Sequence, residues 1–305
     1  MKKIIYLFLS LLIYQHSTAQ TPTWAKDIAP ILYAKCTSCH HAGGLAHFPL
    51  ISYMDAYTKG FLIATQVSNR KMPPWQPDAN YSHFVQENVL TQNEIDAINN
   101  WVTYGRIQGN MAQAPSQPVY SNTSQLGTVD VSLQMPAYTV GGTGDQHRNF
   151  PIPSNLLQDV YVTAVEVIPG NPQIVHHVIV YQDTTNVPYV LDSLDAGVGY
   201  ETVGLNSTAR MIMAYTPGNR PYFPPVGTGV KLFKNTAYVI QVHYPAGSQG
   251  QIDSTHVNIK FTTIPQREIT MWVLPGQKNM VNGPIHIPPN QLATYHERDT
   301  IDAPL

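Results

Sequence analysis

The periodicity of this chain changes character once, and that change most limits what the chain can fold into. Before residue 110, apolar residues recur at helical spacing: Ile28, Ile31 and Leu32 within Asp27 to Lys35, a second stretch over about 53–67, and Ile95, Ile98, Trp101 and Val102 on one stripe. The last stretch opens on Thr91-Gln92-Asn93-Glu94, a capping box in which Thr and Glu satisfy the first free N–H groups reciprocally, and Gly105 can end it. Residues 110–126 are rich in Gln, Ser, Pro and Ala and read as a linker. From Thr128 on, short runs of Val, Ile, Tyr and Thr are broken by Pro and Gly, as at 160–167, 174–181, 237–244 and 256–263. That is the pattern of an antiparallel sandwich. The expected fold class is therefore multidomain, a small all-α domain over 21–109 followed by an all-β, jelly-roll-like antiparallel sandwich over 127–264. Two more candidate strands, 268–274 and one around Ala293, precede the end at Leu305. They suggest a second, incomplete β-domain over 265–305 and a truncated sequence.

Residues 1–20 read as a signal peptide. Lys2 and Lys3 form a positive start, Ile4 to Tyr14 a short apolar core, and Ser17 and Ala19 a small-residue cleavage pattern. An uncleaved anchor helix is the alternative. No cysteine follows for lipid attachment, and no later stretch is long and apolar enough to span a bilayer. The expected location is exported, periplasmic or extracellular, with no integral membrane segment after signal removal. Net charge is -2 without a basic block, so nucleic acid is not an expected partner.

The chain has only 2 cysteines, and both lie in Cys36-Thr37-Ser38-Cys39-His40. C-x-x-C-H is the attachment signature of c-type haem: the thiols of Cys36 and Cys39 form thioethers, and the His40 imidazole becomes the proximal iron ligand. The competing reading is a thiol–disulfide pair, which normally starts a helix in a βαβ context that this region lacks. Met72, in Arg70-Lys71-Met72-Pro73-Pro74-Trp75, is the candidate distal ligand, because the prolines hold the chain extended and can present a thioether to iron. The alternative is that Met72 only packs in the core; His41, His47 and His83 are rival ligands.

Two histidine features lie in the β-rich region: His176 and His177 within 173–181, and His243 in Gln241-Val242-His243-Tyr244. Imidazole suits copper and zinc alike. Neighbours on a regular strand point to opposite faces, so His176 and His177 can share an ion only if the strand is irregular there. Pro169-Gly170-Asn171-Pro172 just upstream could cause this. Otherwise the two histidines serve different faces.

Asp27-Ile28-Ala29-Pro30-Ile31, the C-x-x-C-H run, Gly43-Gly44, Met72-Pro73-Pro74-Trp75 and the Thr91 to Gly105 segment together resemble bacterial cytochrome c domains fused to copper monooxygenase modules. Val175-His176-His177-Val178 and the Q-V-H-Y run are similar to the first domain of the copper type II, ascorbate-dependent monooxygenases. The resemblance implies a cytochrome c domain at 21–109 and copper held by His176, His177 and His243. It also implies electron input from an ascorbate-like reductant or a redox protein, and a small-molecule or peptide substrate. The chain departs from that family in having no further cysteines for disulfides, no His-x-His and no methionine after Met280. The oxygen-activating half is thus not expected here. The alternatives are an exported electron-transfer or copper-binding protein without oxygenase activity, and a structural sandwich whose histidines bind zinc or nothing.

Overall fold

The computed structural model describes residues 21–75, 77–120, 124–202, 208–271 and 280–298. The expected signal peptide, residues 1–20, lies outside them. The chain divides into two compact units, one of the residues before Ser124 plus Pro217–Arg220, the other of the remainder. No helix among the described residues is long and apolar enough to cross a membrane.

In the first unit a π-helical turn, Trp24–Ile28, runs into α1 (Ala29–Lys35), followed by α2 (Tyr53–Ser68) and α3 (Gln92–Thr103). Both longer helices start on reciprocal capping boxes, Ser52 with Asp55 and Thr91 with Glu94. Their apolar stripes meet over Trp24, Leu32, Ile98 and Trp101, each at most 1% exposed. Trp101 also donates its indole N–H to the Ile107 carbonyl at 3.0 Å, which satisfies its one buried polar atom.

The second unit contains β1 (Val131–Gln134), β2 (Tyr138–Thr139), β3 (Gln146–Pro153), β4 (Val160–Ile168) and β5 (His177–Asp183), then helix α4 (Val187–Leu194). After it come β6 (Tyr200–Glu201), β7 (Arg210–Tyr215), β8 (Thr228–Leu232), β9 (Ala237–Tyr244), β10 (Ile252–Asp253), β11 (His256–Thr262) and β12 (Arg267–Glu268). One sheet has the order β1-β11-β4-β8-β12, another β6-β3-β9-β5-β7, and β10 pairs with β2. Val162 and Val165 of β4 and Ile259 of β11 join Phe150, Val178, Val180, Ile240 and Val242 of the other sheet in one buried cluster. All eight residues of β9 are buried, so this central strand has its second face covered too.

The all-α cytochrome c domain expected ahead of an all-β sandwich is not what the chain adopts. Among the described residues β-sheet dominates, in three sheets; helix makes up 20% of them, in short segments, one of which, α4, lies among the strands. No separate all-α domain forms, and the expected multidomain layout falls with it. Between α1 and α2, and again between α2 and α3, the backbone is irregular. Gly43-Gly44 and Pro73-Pro74 break any helical period there. Pro217–Arg220, from the strand-rich half, complete the first unit. Nor is every strand antiparallel, since β12 runs parallel to β8. The strand expected at 268–274 shortens to Arg267–Glu268, and residues 272–274 lie outside the described ones. Around Ala293 the only strand pairing among the described residues is one bridge between Met280 and Glu297.

Candidate metal centre

Three histidines line up across the β6-β3-β9-β5-β7 sheet. His147 of β3 is opposite His243 of β9, and His243 is opposite His177 of β5. Strand alternation puts their rings on the face opposite to Phe150, Val242 and Val178, which point into the core. The polar residues of the Gln241-Val242-His243-Tyr244 run anchor this row. Gln241 donates to Asn149 Oδ1 at 2.9 Å, as does the Tyr181 hydroxyl at 3.1 Å. The Tyr244 hydroxyl donates to buried Asp253 at 2.9 Å.

His176 lies just outside β5, and this resolves the alternation difficulty. The Asn171 carbonyl accepts from Ile174 N–H and Val175 N–H, both at 3.2 Å, and His176 N–H donates to the His243 carbonyl at 2.9 Å. Gly170 lets this turn press on its neighbour, since a Cβ there would lie 2.5 Å from the Ser254 nitrogen. With the strand broken before His177, the His176 ring swings to the same side.

The Nδ1 atoms of His176, His177 and His243 form a triangle with sides of 3.1, 3.1 and 3.3 Å. Three such nitrogens cannot satisfy one another. Each contact needs one protonated and one bare nitrogen, so at least one side of the triangle sets like against like. A cation ~2.0 Å from each would resolve all three contacts at N–metal–N angles of about 100–110°, near tetrahedral with a fourth position open. Burial and the neighbouring imidazoles of His243, His176 and His147 push His177 down to about 4. Burial, His147 and His176 also pull His243 below the usual histidine range, against the opposing pull of Asp145. Both rings therefore offer bare lone pairs at neutral pH, as metal ligation requires.

His147 escaped the sequence reading, because nothing in Asp145-Gln146-His147-Arg148 marks it before the register of β3 on β9 is known. A looser grouping of His147, His177 and His243 has one nitrogen of each within 4.8 Å of the others. The His176/His177/His243 triangle is the better ligand set on two grounds. It is tighter, and the His147 ring lies parallel to that of His243 at 4.2 Å and 6°. In-plane lone pairs of stacked rings run side by side and do not converge on one point.

In the first unit, the C-x-x-C-H run forms a single turn after α1. Cys39 N–H and His40 N–H both return to the Cys36 carbonyl, at 3.2 and 3.0 Å. The turn carries two free, half-buried thiols and one imidazole within five successive residues. Burial, with Cys39 nearby, pushes the Cys36 thiol up to about 12, and burial also raises Cys39. A thiol–disulfide catalyst needs the opposite shift. His40 Nδ1 faces the Phe48 carbonyl at 3.0 Å, which fixes the proton there and leaves Nε2 bare. These residues fit haem attachment.

Met72 is 41% exposed and lines an open hollow of about 430 Å³ with Val67, Trp75 and Leu90. Cys36, Cys39 and His40 do not line this hollow. Among the rival ligands, His41 stacks on Tyr120 at 4.3 Å, His83 pairs with Glu87 at 3.0 Å, and His47 is exposed. No known family model and no curated protein matches the chain. The assignments therefore stand on motif and geometry.

Proposed function

We propose that this chain is an exported haem–copper redox protein that serves the electron-input side of a copper-dependent monooxygenase. In this reading haem c sits on Cys36, Cys39 and His40, with Met72 as distal ligand, and copper is held by His176, His177 and His243. The observation that supports it most is the triangle of Nδ1 atoms at 3.1–3.3 Å. Bound there, haem and copper would supply one-electron transfer.

The protein's own groups prepare the two sites. The Phe48 carbonyl holds His40 in one tautomer and so aims Nε2. The Asn149–Gln241–Tyr181 hydrogen bonds lock β3, β9 and β5 in the register that lines up the histidines. The break before His177 turns two sequence neighbours towards one point. Electron transfer without oxygenase activity is the second reading. It is favoured by one observation: among the described residues, no group of three His, Cys, Asp or Glu outside this histidine cluster is placed to hold a metal.

The test uses protein made in a host with working haem attachment and then loaded with copper. A c-type pyridine haemochrome that disappears in the Cys36→Ala/Cys39→Ala variant is expected. So is one copper per chain with nitrogen coupling in its electron paramagnetic resonance, sharply weakened by His243→Ala. A colourless chain rejects the haem assignment, and undiminished copper in a His176→Ala/His177→Ala variant rejects the copper assignment.

A further inference from the structure

His243 has a second ring nitrogen, and it is not idle. With Nδ1 facing the other two ligands, Nε2 is buried and makes no hydrogen bond of normal geometry. Oδ2 of Asp145 lies 3.5 Å from it. That carboxylate is held from the other side, because its Oδ1 accepts the Ala246 N–H at 2.7 Å, just past the end of β9. The face of the same ring rests on His147. His243 is thus gripped at its edge and on its face by two residues of the Asp145-Gln146-His147 segment.

Resting on the copper reading above, we propose that Asp145 and His147 are positioning residues. Asp145 accepts from the Nε2–H of His243 and so keeps the Nδ1 lone pair free for the metal, while His147 holds the ring plane. A carboxylate behind a ligating imidazole also strengthens it as a donor, more so towards the more highly charged ion. The segment therefore favours Cu(II) over Cu(I) and sets the potential of the centre downwards.

Asp145→Asn is the informative change. Its amide oxygen can keep the Ala246 bond, while its NH₂ faces Nε2. A donor there makes Nε2 the acceptor and moves the ring proton to Nδ1, where it blocks the metal. The Asp145 side chain is 62% exposed, so the fold should tolerate the substitution. Cu(II) and Cu(I) affinities would be measured on the full chain by chelator competition, with metal-free thermal unfolding alongside.

Asp145→Asn should lose about 10–100-fold in Cu(II) affinity and clearly less in Cu(I), with unchanged metal-free unfolding. Each tenfold of that difference raises the potential by about 59 mV. His147→Phe, which keeps the stack, should bind like the parent, and His147→Ala should bind less tightly. Asp159→Asn, at the Lys231 ion pair elsewhere in the same unit, serves as control and should change nothing. Asp145→Asn within twofold of the parent for Cu(II), while His243→Ala has lost the metal, overturns the positioning role and leaves the copper reading intact. His147→Phe as damaging as His243→Ala overturns it too, by making His147 a ligand. Copper binding unaffected by His243→Ala overturns both the reading and this inference.

Discussion

Replacing Asp253 with alanine should be among the most damaging single changes in the strand-bearing unit. Asp253 is 1% exposed and uncharged neighbours surround it with donors. Oδ1 accepts the Asn171 N–H at 2.8 Å, while Oδ2 accepts the Tyr244 hydroxyl at 2.9 Å and the Thr255 hydroxyl at 2.7 Å. Tyr244 and Thr255 are both fully buried, so in Asp253→Ala neither hydroxyl can turn to water. Each stranded donor costs about 1–3 kcal/mol, and the half-exposed Asn171 N–H less. The sum is about 3–5 kcal/mol, a large share of the ~5–15 kcal/mol that holds a typical domain together. Asp253→Asn keeps one acceptor and can donate to a hydroxyl, so it should cost about 1–2 kcal/mol. Urea unfolding followed by far-ultraviolet circular dichroism measures both variants. The same carboxylate ties the turn before His176 to the residue after His243, so Asp253→Ala should also weaken copper binding. A cost for Asp253→Ala of less than about 1 kcal/mol would show that the three donors find other partners, and would refute the reasoning.

Acid should destabilise the strand-bearing unit through His177. In the fold His177 stays neutral down to about 4, whereas an unfolded histidine takes its proton near ~6.5. Between those values the unfolded chain binds more protons, so stability is intact above ~6.5 and is lost as pH falls through the folded value. Allowing for partial solvent access, His177 accounts for about 1–2 kcal/mol of that loss. The thermal midpoint of His177→Gln should fall less between pH 7 and pH 4, and an equal fall would exclude His177 as the cause. For the haem, a Met72–iron bond should give a weak near-infrared band in the ferric protein. Met72→Ala should remove it, and a surviving band would move the search to His47 and His83.

Local signals in the sequence were read well where one periodicity governs both local and tertiary structure. The stripe of Ile95, Ile98, Trp101 and Val102 forms α3 behind the Thr91 box, and strand β9 spans Ala237–Tyr244 as its unbroken apolar run suggests. The helical reading failed as a description of a whole domain. Caps and stripes report only on the segments that contain them, and the Gly- and Pro-marked stretches between are as long as the helices. The centre was legible in part. His176, His177 and His243 carry chain-local marks, and the Pro169 to Pro172 turn announced the break that lets the first two converge. His147 and Asp145 carry none. Their place beside His243 exists only once β3 pairs with β9 across some ninety residues, and no local pattern encodes a partner that distant.

The four residues Pro217–Arg220 have a bearing on how such a protein could be shuffled or cut. They leave the strand-bearing half after Thr216, fold with the N-terminal residues, where Arg220 N–H meets Gln86 Oε1 at 3.3 Å, and return at Pro221. A recombination event or a protease acting at the linker would not divide the protein along its folding boundary. It would leave one piece with a loop whose partners had gone and the other with a gap beside Gln86. Exchange of the N-terminal half between relatives then requires matched changes at two places in the gene, the linker and the β7–β8 connection, so the halves are expected to be inherited together rather than traded one at a time.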